Sequence, residues 1–229
     1  MAAVVHHRGG PGPGWLATGL ATVFGNAYLV VGTLFWSIAC LLLALVPPRG
    51  HWVFYGARLW TRGWLAASGV RVSVEHEVPL DPRRPVVYMA NHQSTYDIPV
   101  LLASLPSRTS MLAKRSLFRI PLFGWAMRAG GFIAIDRDDR GSARASFEAA
   151  VARLQRGVST LMFPEGTRSL DGRLGPLERG GFLLALKSGL PIVPVGIEGS
   201  LAIQRKGSLA IRPGRVTLRY GRPIDVASY

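Results

Sequence analysis

Positions 9–48 hold no charged residue, and the first acidic side chain of the chain is Glu75. An uncharged run of 40 residues is too long to hide in the core of a small domain, which disfavours an entirely water-borne fold. Beyond the run the chain is strongly basic, with 27 Lys and Arg against 13 Asp and Glu and a net charge of +14. The composition is therefore two compositions. The 229 residues suffice for one domain with an appendage. A 48% apolar content excludes disorder, and a single cysteine, Cys40, excludes a disulfide scaffold and points away from thiol or redox chemistry.

After a Gly/Pro-rich start, residues 15–46 read as one long apolar helix, with 27–46 its purest section. At about 1.5 Å per residue such a section matches the roughly 30 Å hydrocarbon layer of a bilayer. Gly19, Thr22, Asn26, Thr33 and Ser37 dilute the segment, so a kinked or partly interfacial helix is as consistent with it as a straight crossing. A cleaved signal peptide fits poorly, because only Arg8 precedes a run that is overlong for one. Pro47 and Pro48 end the helix, and residues 51–68 offer a second, with Trp52, Trp60 and Trp64 beside Arg58 and Arg62. Tryptophans at an apolar boundary suit the headgroup region, so residues 1–68 are expected to form a membrane-docking helical hairpin. A buried helix pair capping the following domain is the other reading. Arg49, Arg58, Arg62 and Arg71 all follow the apolar segment, which predicts a cytoplasmic face for the rest of the chain, at the inner membrane if the source is bacterial.

From residue 69 to 229 short β-branched runs alternate with helical patterns. Strands are predicted at 70–74, 86–89, 109–112, 132–135, 160–163, 192–196 and 216–220, and helices at 98–104, 143–155 and 177–187. This alternation predicts an α/β fold with a mostly parallel sheet flanked by helices.

Four segments at predicted strand ends combine polar groups with turn chemistry. In the first, Asn91, His92, Gln93, Ser94, Thr95, Tyr96 and Asp97 follow the strand 86–89. His92 and Asp97 would lie about 140° apart on a regular helix, so they meet only if the chain bends between them. With such a bend the carboxylate holds one imidazole nitrogen and leaves the other to take a proton. Asp97 before Ile98 and Pro99 equally reads as a helix cap, with His92 a plain turn residue. Spacing alone leaves both open.

The second segment runs from Phe163 through Pro164, Glu165, Gly166, Thr167 and Arg168 to Ser169. Gly166 permits an unusual backbone angle, Thr167 offers a hydroxyl and Arg168 a planar fork, a set suited to phosphate or carboxylate. A charged surface turn is the alternative. Asp136 and Arg137 end the third segment, and residues 190–195 form the fourth, which bears no catalytic group. Lys114, after the strand 109–112, adds a candidate cation.

Together the segments resemble, in order, the four blocks of the glycerolipid acyltransferases, the 1-acylglycerol-3-phosphate acyltransferases and their relatives. His92 and Asp97 look like that family's catalytic pair, and residues 163–169 match its phosphate-binding block without a gap. Ala134 departs from the aromatic residue often found two places before Asp136. The resemblance implies transfer of an acyl chain from a thioester, acyl-coenzyme A or acyl carrier protein, to the 2-hydroxyl of 1-acyl-glycerol-3-phosphate, giving phosphatidic acid. It also implies His92 as general base with Asp97 as its partner, and Lys114, Arg137, Glu165, Gly166, Thr167 and Arg168 as the acceptor-binding set. Glu165, an anion beside a phosphate, is expected to orient Arg168 or a backbone group. Oxyanion donors are expected among the N–H groups of the turn after His92. No metal and no cofactor beyond the thioester is implied, and the partners are a lysophospholipid, the donor and membrane lipids.

The same blocks would serve another acceptor, such as a lyso-ornithine lipid. A membrane-anchored protein binding nucleic acid or anionic lipid is a different class that the charge alone would allow. The cations argue against nucleic acid, because they form no dense run and are not interleaved with aromatics in the α/β part. A dinucleotide fingerprint is absent too. Residues 1–65 contribute +4 and residues 66–229 contribute +10, which fits headgroup contact in the first part and anionic substrates in the second.

Overall fold

The computed structural model describes residues 13–47, 49–135 and 140–226. Its centre is a seven-stranded sheet in the order β1 (Val70–His76), β7 (Gly214–Tyr220), β6 (Ile192–Glu198), β2 (Val87–Ala90), β5 (Ser159–Met162), β3 (Thr109–Lys114), β4 (Ile133–Ile135). Every neighbouring pair is parallel except β6 with β7. The α/β architecture read from the sequence is thus present, and all seven predicted strands exist.

β2 shows why the sheet is covered on both faces. All four of its residues are buried, and they alternate between two cores as strand geometry requires. Val87 and Met89 pack with Ala150, Val151 and Leu154 of α5 (Arg140–Gln155) and with Leu184 and Ala185 of α6 (Arg179–Ser188). Tyr88 and Ala90 face the opposite core, which holds Val100 and Leu101 of α3 (Asp97–Ser104).

That second core also takes in the N-terminal helices α1 (Trp15–Leu43) and α2 (Arg49–Ala67). Phe54, Trp64 and Leu65 of α2 are buried in it, at about 1.5–3 kcal/mol of hydrophobic stabilisation for a large apolar side chain. Trp64 therefore does not sit at a lipid boundary. It is 4% exposed, stacks on Trp60 and has its ring centroid 5.0 Å from that of Tyr96. Trp52, at 43% exposure, does face outwards.

α1 buries a single stripe, Ala21, Gly25, Gly32, Ser37 and Cys40, along nearly its whole length. The opposite face leaves Val23, Val30, Phe35 and Leu42 exposed. α1 ends at Leu43, a few residues before the sequence reading placed its stop, and a turn leads to the proline pair. The pattern reading did not anticipate α4 (Phe123–Gly130), α7 (Ser200–Ile203) or the 3-10 turn at Arg115–Arg119. Two are single-turn pieces and α4 has 8 residues, too short to display a helical period.

Candidate functional site

β6, β2 and β5 are neighbours in the sheet, and β2 is parallel to both, so their carboxyl ends share one edge. Ligands of open α/β sheets bind outside this edge. The chain leaving β2 carries His92 and the chain leaving β5 carries residues 163–169, so pairing of β2 with β5 brings the two segments together.

The turn after β2 bends as the pair of His92 and Asp97 requires. Asp97 opens α3, but its side chain makes no capping bond there. It points back instead. Asp97 Oδ2 lies 2.7 Å from His92 Nδ1 and accepts the backbone N–H groups of Gln93 at 2.7 Å and Ser94 at 2.8 Å. Its side chain is fully buried, and three short bonds to one carboxylate oxygen fix it in place. Phe163 then holds the plane of the imidazole, with ring centroids 4.0 Å apart and 17° between planes. His92 Nε2 makes no hydrogen bond to any described residue.

Neighbouring side chains hold the turn itself. Asn91 exchanges two bonds with Ile197 of β6, Nδ2 donating at 3.0 Å and Oδ1 accepting at 2.6 Å. Gln93 Nε2 donates to the same carbonyl at 2.8 Å, and the Ser94 hydroxyl donates to Gln204 O at 2.8 Å. Beneath the turn, the Tyr96 and Ser68 hydroxyls lie 2.6 Å apart. Burial pushes the Tyr96 phenol up to about 12, against the opposing pull of that hydrogen bond.

Glu165 is buried, and both of its oxygens serve backbone groups: Oε1 accepts His92 N–H at 2.7 Å and Oε2 accepts Gly175 N–H at 2.9 Å. The His92 carbonyl in turn accepts the N–H of Ser169 at 2.7 Å. One carboxylate thus ties the turn of His92 to the turn after β5 and to the loop beyond it. Gly166 adopts φ 74°, a conformation that a side chain would strain. Arg168 Nη1 donates to Thr95 Oγ1 at 2.5 Å, which brings the guanidinium to the turn of His92. Thr167 is exposed.

Lys114 ends β3, exposed at the same sheet edge with β5 lying between it and β2. Asp136 and Arg137 lie outside the described residues. The N–H groups of His92, Gln93 and Ser94 are bound to carboxylates, so an oxyanion donor from this turn would have to be another backbone group.

Sequence reasoning missed Lys206, whose Nζ donates to Thr167 Oγ1 at 3.2 Å, and Arg219, which bridges Glu75 and Glu198 at 2.8 Å each. Both lie outside the four segments and far along the chain from Thr167 and Glu75, and only the fold brings them near. No cluster of metal-ligating side chains occurs among the described residues.

Two apolar clefts flank the turn. The larger, about 820 Å³, is lined by His92 and Glu165 together with Leu177, Phe182 and Ile224. The smaller, about 420 Å³, lies between the N-terminal helices and the sheet, with Leu29, Trp60, Ile98 and Phe132 in its wall and Thr95 at its lining.

Fold and site together define an α/β protein with a carboxylate-oriented histidine at the carboxyl edge of a mostly parallel sheet, set between the turn that carries Arg168 and two apolar clefts. The Acyltransferase family model matches residues 70–198, which span the sheet from β1 to β6, and the chain belongs to that family. It is 40% identical over 212 residues to the chloroplastic 1-acyl-sn-glycerol-3-phosphate acyltransferase LPAT1 of Arabidopsis thaliana, covering 91% of this chain and 57% of that one. A 1-acyl-sn-glycerol-3-phosphate acyltransferase of Salmonella typhimurium is 32% identical over 205 residues, with 88% and 80% covered. The crystal structure of the 1-acyl-sn-glycerophosphate acyltransferase PlsC from Thermotoga maritima superposes with a TM-score of 0.79 at 25% identity, covering 93% of this chain and 88% of that one. The chain spans about half the length of several curated plant and algal relatives, 57% of the Arabidopsis protein and 41% of one from Brassica napus.

Proposed function

We propose that this protein transfers a fatty acyl chain from a thioester to the 2-hydroxyl of 1-acyl-glycerol-3-phosphate and so forms phosphatidic acid. The observation that carries this reading is the bond between His92 Nδ1 and Asp97 Oδ2, which leaves Nε2 as the proton acceptor of a histidine that lines the larger cleft. Nε2 takes the hydroxyl proton as the acceptor oxygen attacks the thioester carbonyl carbon. The tetrahedral adduct then expels the thiolate, which takes the proton back from the imidazolium and leaves as thiol. Asp97, held by the N–H groups of Gln93 and Ser94, stabilises the imidazolium. No acyl-enzyme is needed, because the acceptor lipid supplies the nucleophile. Ser94 is also unsuited to that role, being fully buried with its hydroxyl bound to Gln204 O.

Arg168 supplies the planar fork for the acceptor phosphate, with Thr167, Gly166, Lys114, Lys206 and Arg137 around it. Glu165 acts as a positioning residue on the backbone of His92 and Gly175. Both substrates bear acyl chains, which suits two apolar clefts on either side of one histidine. The smaller cleft, walled by the N-terminal helices and containing Thr95, takes the chain of the acceptor that Arg168 holds. The larger takes the donor chain, delivered by coenzyme A or by an acyl carrier protein.

Residues 1–68 dock this site on the cytoplasmic face of a membrane. α1 is the one described helix long and apolar enough to cross a bilayer. Its buried stripe extends along the protein from Ala21 to Cys40, however, which supports a helix lying against the domain with one face in lipid. Residues 69–229 form the acyltransferase unit. Incubating the purified protein with a panel of lysolipids and with both donor types, and identifying the product, tests the reading. Phosphatidic acid from the phosphate-bearing acceptor is expected, and exclusive use of a phosphate-free lysolipid would contradict it.

A further inference from the structure

The chain between α7 and β7 forms a loop whose ends are pinned together, Arg212 N–H donating to Ile203 O at 2.9 Å. Gly207, at φ 83°, turns its tip. Arg205, Lys206 and Arg212 are exposed, and no acidic residue occurs between Glu198 and Asp225. Arg205 and Arg212 form no ion pair with a described residue. Leu209 stands among them 77% exposed, one of the most exposed large apolar side chains of the α/β part. A solvated loop accounts for its cations but leaves this leucine, and the contacts below, without a reason.

Those contacts lead in two directions. Towards α1, Asn26 Nδ2 donates to Leu209 O at 3.0 Å, and the N–H of Ile211 donates to Thr22 Oγ1 at 2.9 Å. Ile211 itself is fully buried as an anchor. Thr22 and Asn26 flank Val23 and Phe24, which are 65% and 58% exposed, so the loop is bonded beside the outward apolar face of α1. Towards the site, Gln204 O accepts the Ser94 hydroxyl, and Lys206 Nζ reaches Thr167 Oγ1. The loop is a strut between the apolar helix and the anion-binding turn.

We propose that residues 204–212 form a second membrane contact, in which Leu209 enters the interface of an anionic bilayer while Arg205 and Arg212 take lipid headgroups. The proposal rests on the membrane reading of α1 and adds to it a fixed level. A bilayer surface held at the turn Thr22–Asn26 sets the height of Arg168 and Thr167 above the lipid. A basic side chain at an anionic surface strengthens partition by about fivefold, and a buried leucine adds its apolar transfer energy.

Position 209 can report this without reference to catalysis. A Leu209→Cys variant carries a polarity-sensitive nitrobenzoxadiazole label, and wild-type protein, whose Cys40 is buried, serves as the labelling blank. Both are bound to vesicles of phosphatidylcholine alone and of phosphatidylcholine with a third phosphatidylglycerol, and co-sedimentation records attachment through α1 independently. The expected result is a blue shift with quenching by headgroup-level quenchers on the anionic vesicles. The shift weakens in high salt and is lost in Arg205→Glu/Arg212→Glu, which still co-sediments and still acylates a detergent-dispersed acceptor. A label that stays water-like on vesicle-bound protein would overturn the proposal. So would an equal shift on both vesicle types, or a shift induced by a soluble acidic protein and not by vesicles. Loss of acyl transfer alone would count against the proposed activity and leave this result untouched.

Discussion

At the scale of single residues, the site is built from carboxylates that hold backbone as much as from cations proposed to hold substrate. Asp97 and Glu165 together accept four backbone N–H groups around His92. Glu165→Gln presents an amide N–H to one of two backbone donors, so one buried group loses its partner. A loss of about 1–3 kcal/mol is expected, read as a lowered midpoint in thermal or denaturant unfolding. Arg168→Ala removes a charge-assisted contact and should lower kcat/KM for a phosphate-bearing acceptor about tenfold to a hundredfold, with little change for a phosphate-free one. An equal loss on both acceptors would remove Arg168 from the phosphate site. The residues themselves were legible in the sequence, since turn chemistry at strand ends marks them. The partners of Glu165 and Arg168, Gly175 and Thr95, were not. Those contacts depend on how two loops meet above neighbouring strands, and local pattern holds no record of strand order.

At the scale of elements, the N-terminal helices show where sequence reading stops. The small and polar residues that dilute the apolar run look like interruptions of a membrane helix. In the structure two of them are its attachment points, for Thr22 and Asn26 bond to the loop before β7, while Ser37 is buried with its hydroxyl on Thr33 O of the same helix. Gly25 allows a close approach, for a Cβ there would lie 2.6 Å from Ser68 Oγ, 2.8 Å from Ile211 Cδ1 and 3.4 Å from Tyr96 Oη. Gly25→Val should therefore force α1 away from the residues beneath the turn of His92. About 1–3 kcal/mol of overpacking strain is expected, measured by unfolding, whereas Gly19→Val, where the same Cβ meets nothing within 4 Å, should be near neutral. The existence of α1 and α2 was plain from hydropathy and the proline pair. That Trp64 belongs to the core and not to the lipid boundary follows from tertiary packing alone.

At the scale of the whole molecule, one sheet carries two cores, two clefts and an apolar outer helix face. Buried phenols cross this assembly. Burial pushes Tyr88 and Tyr96 each up to about 12, and it raises Tyr220 as well. The folded protein holds these protons more tightly than the unfolded chain, whose phenols titrate near 10.0. Their stabilisation is complete below that pH and is lost as pH rises towards 12, so unfolding should accompany phenolate formation in that window. Phenolate absorbance recorded beside circular dichroism checks it, and ionisation of all tyrosines without loss of structure would contradict the burial. The mostly parallel order of strands was legible from the alternation of elements. The single antiparallel pair, β6 with β7, was not, because a strand's direction leaves no mark on its composition.

Whether His92 is the base of an acyl transfer is read from the turnover of His92→Ala in membranes with 1-acyl-glycerol-3-phosphate and a thioester donor. A fall of about 10²- to 10⁴-fold in kcat with an unchanged circular dichroism spectrum is expected. Turnover within a few-fold of wild type in a folded His92→Ala protein would contradict it.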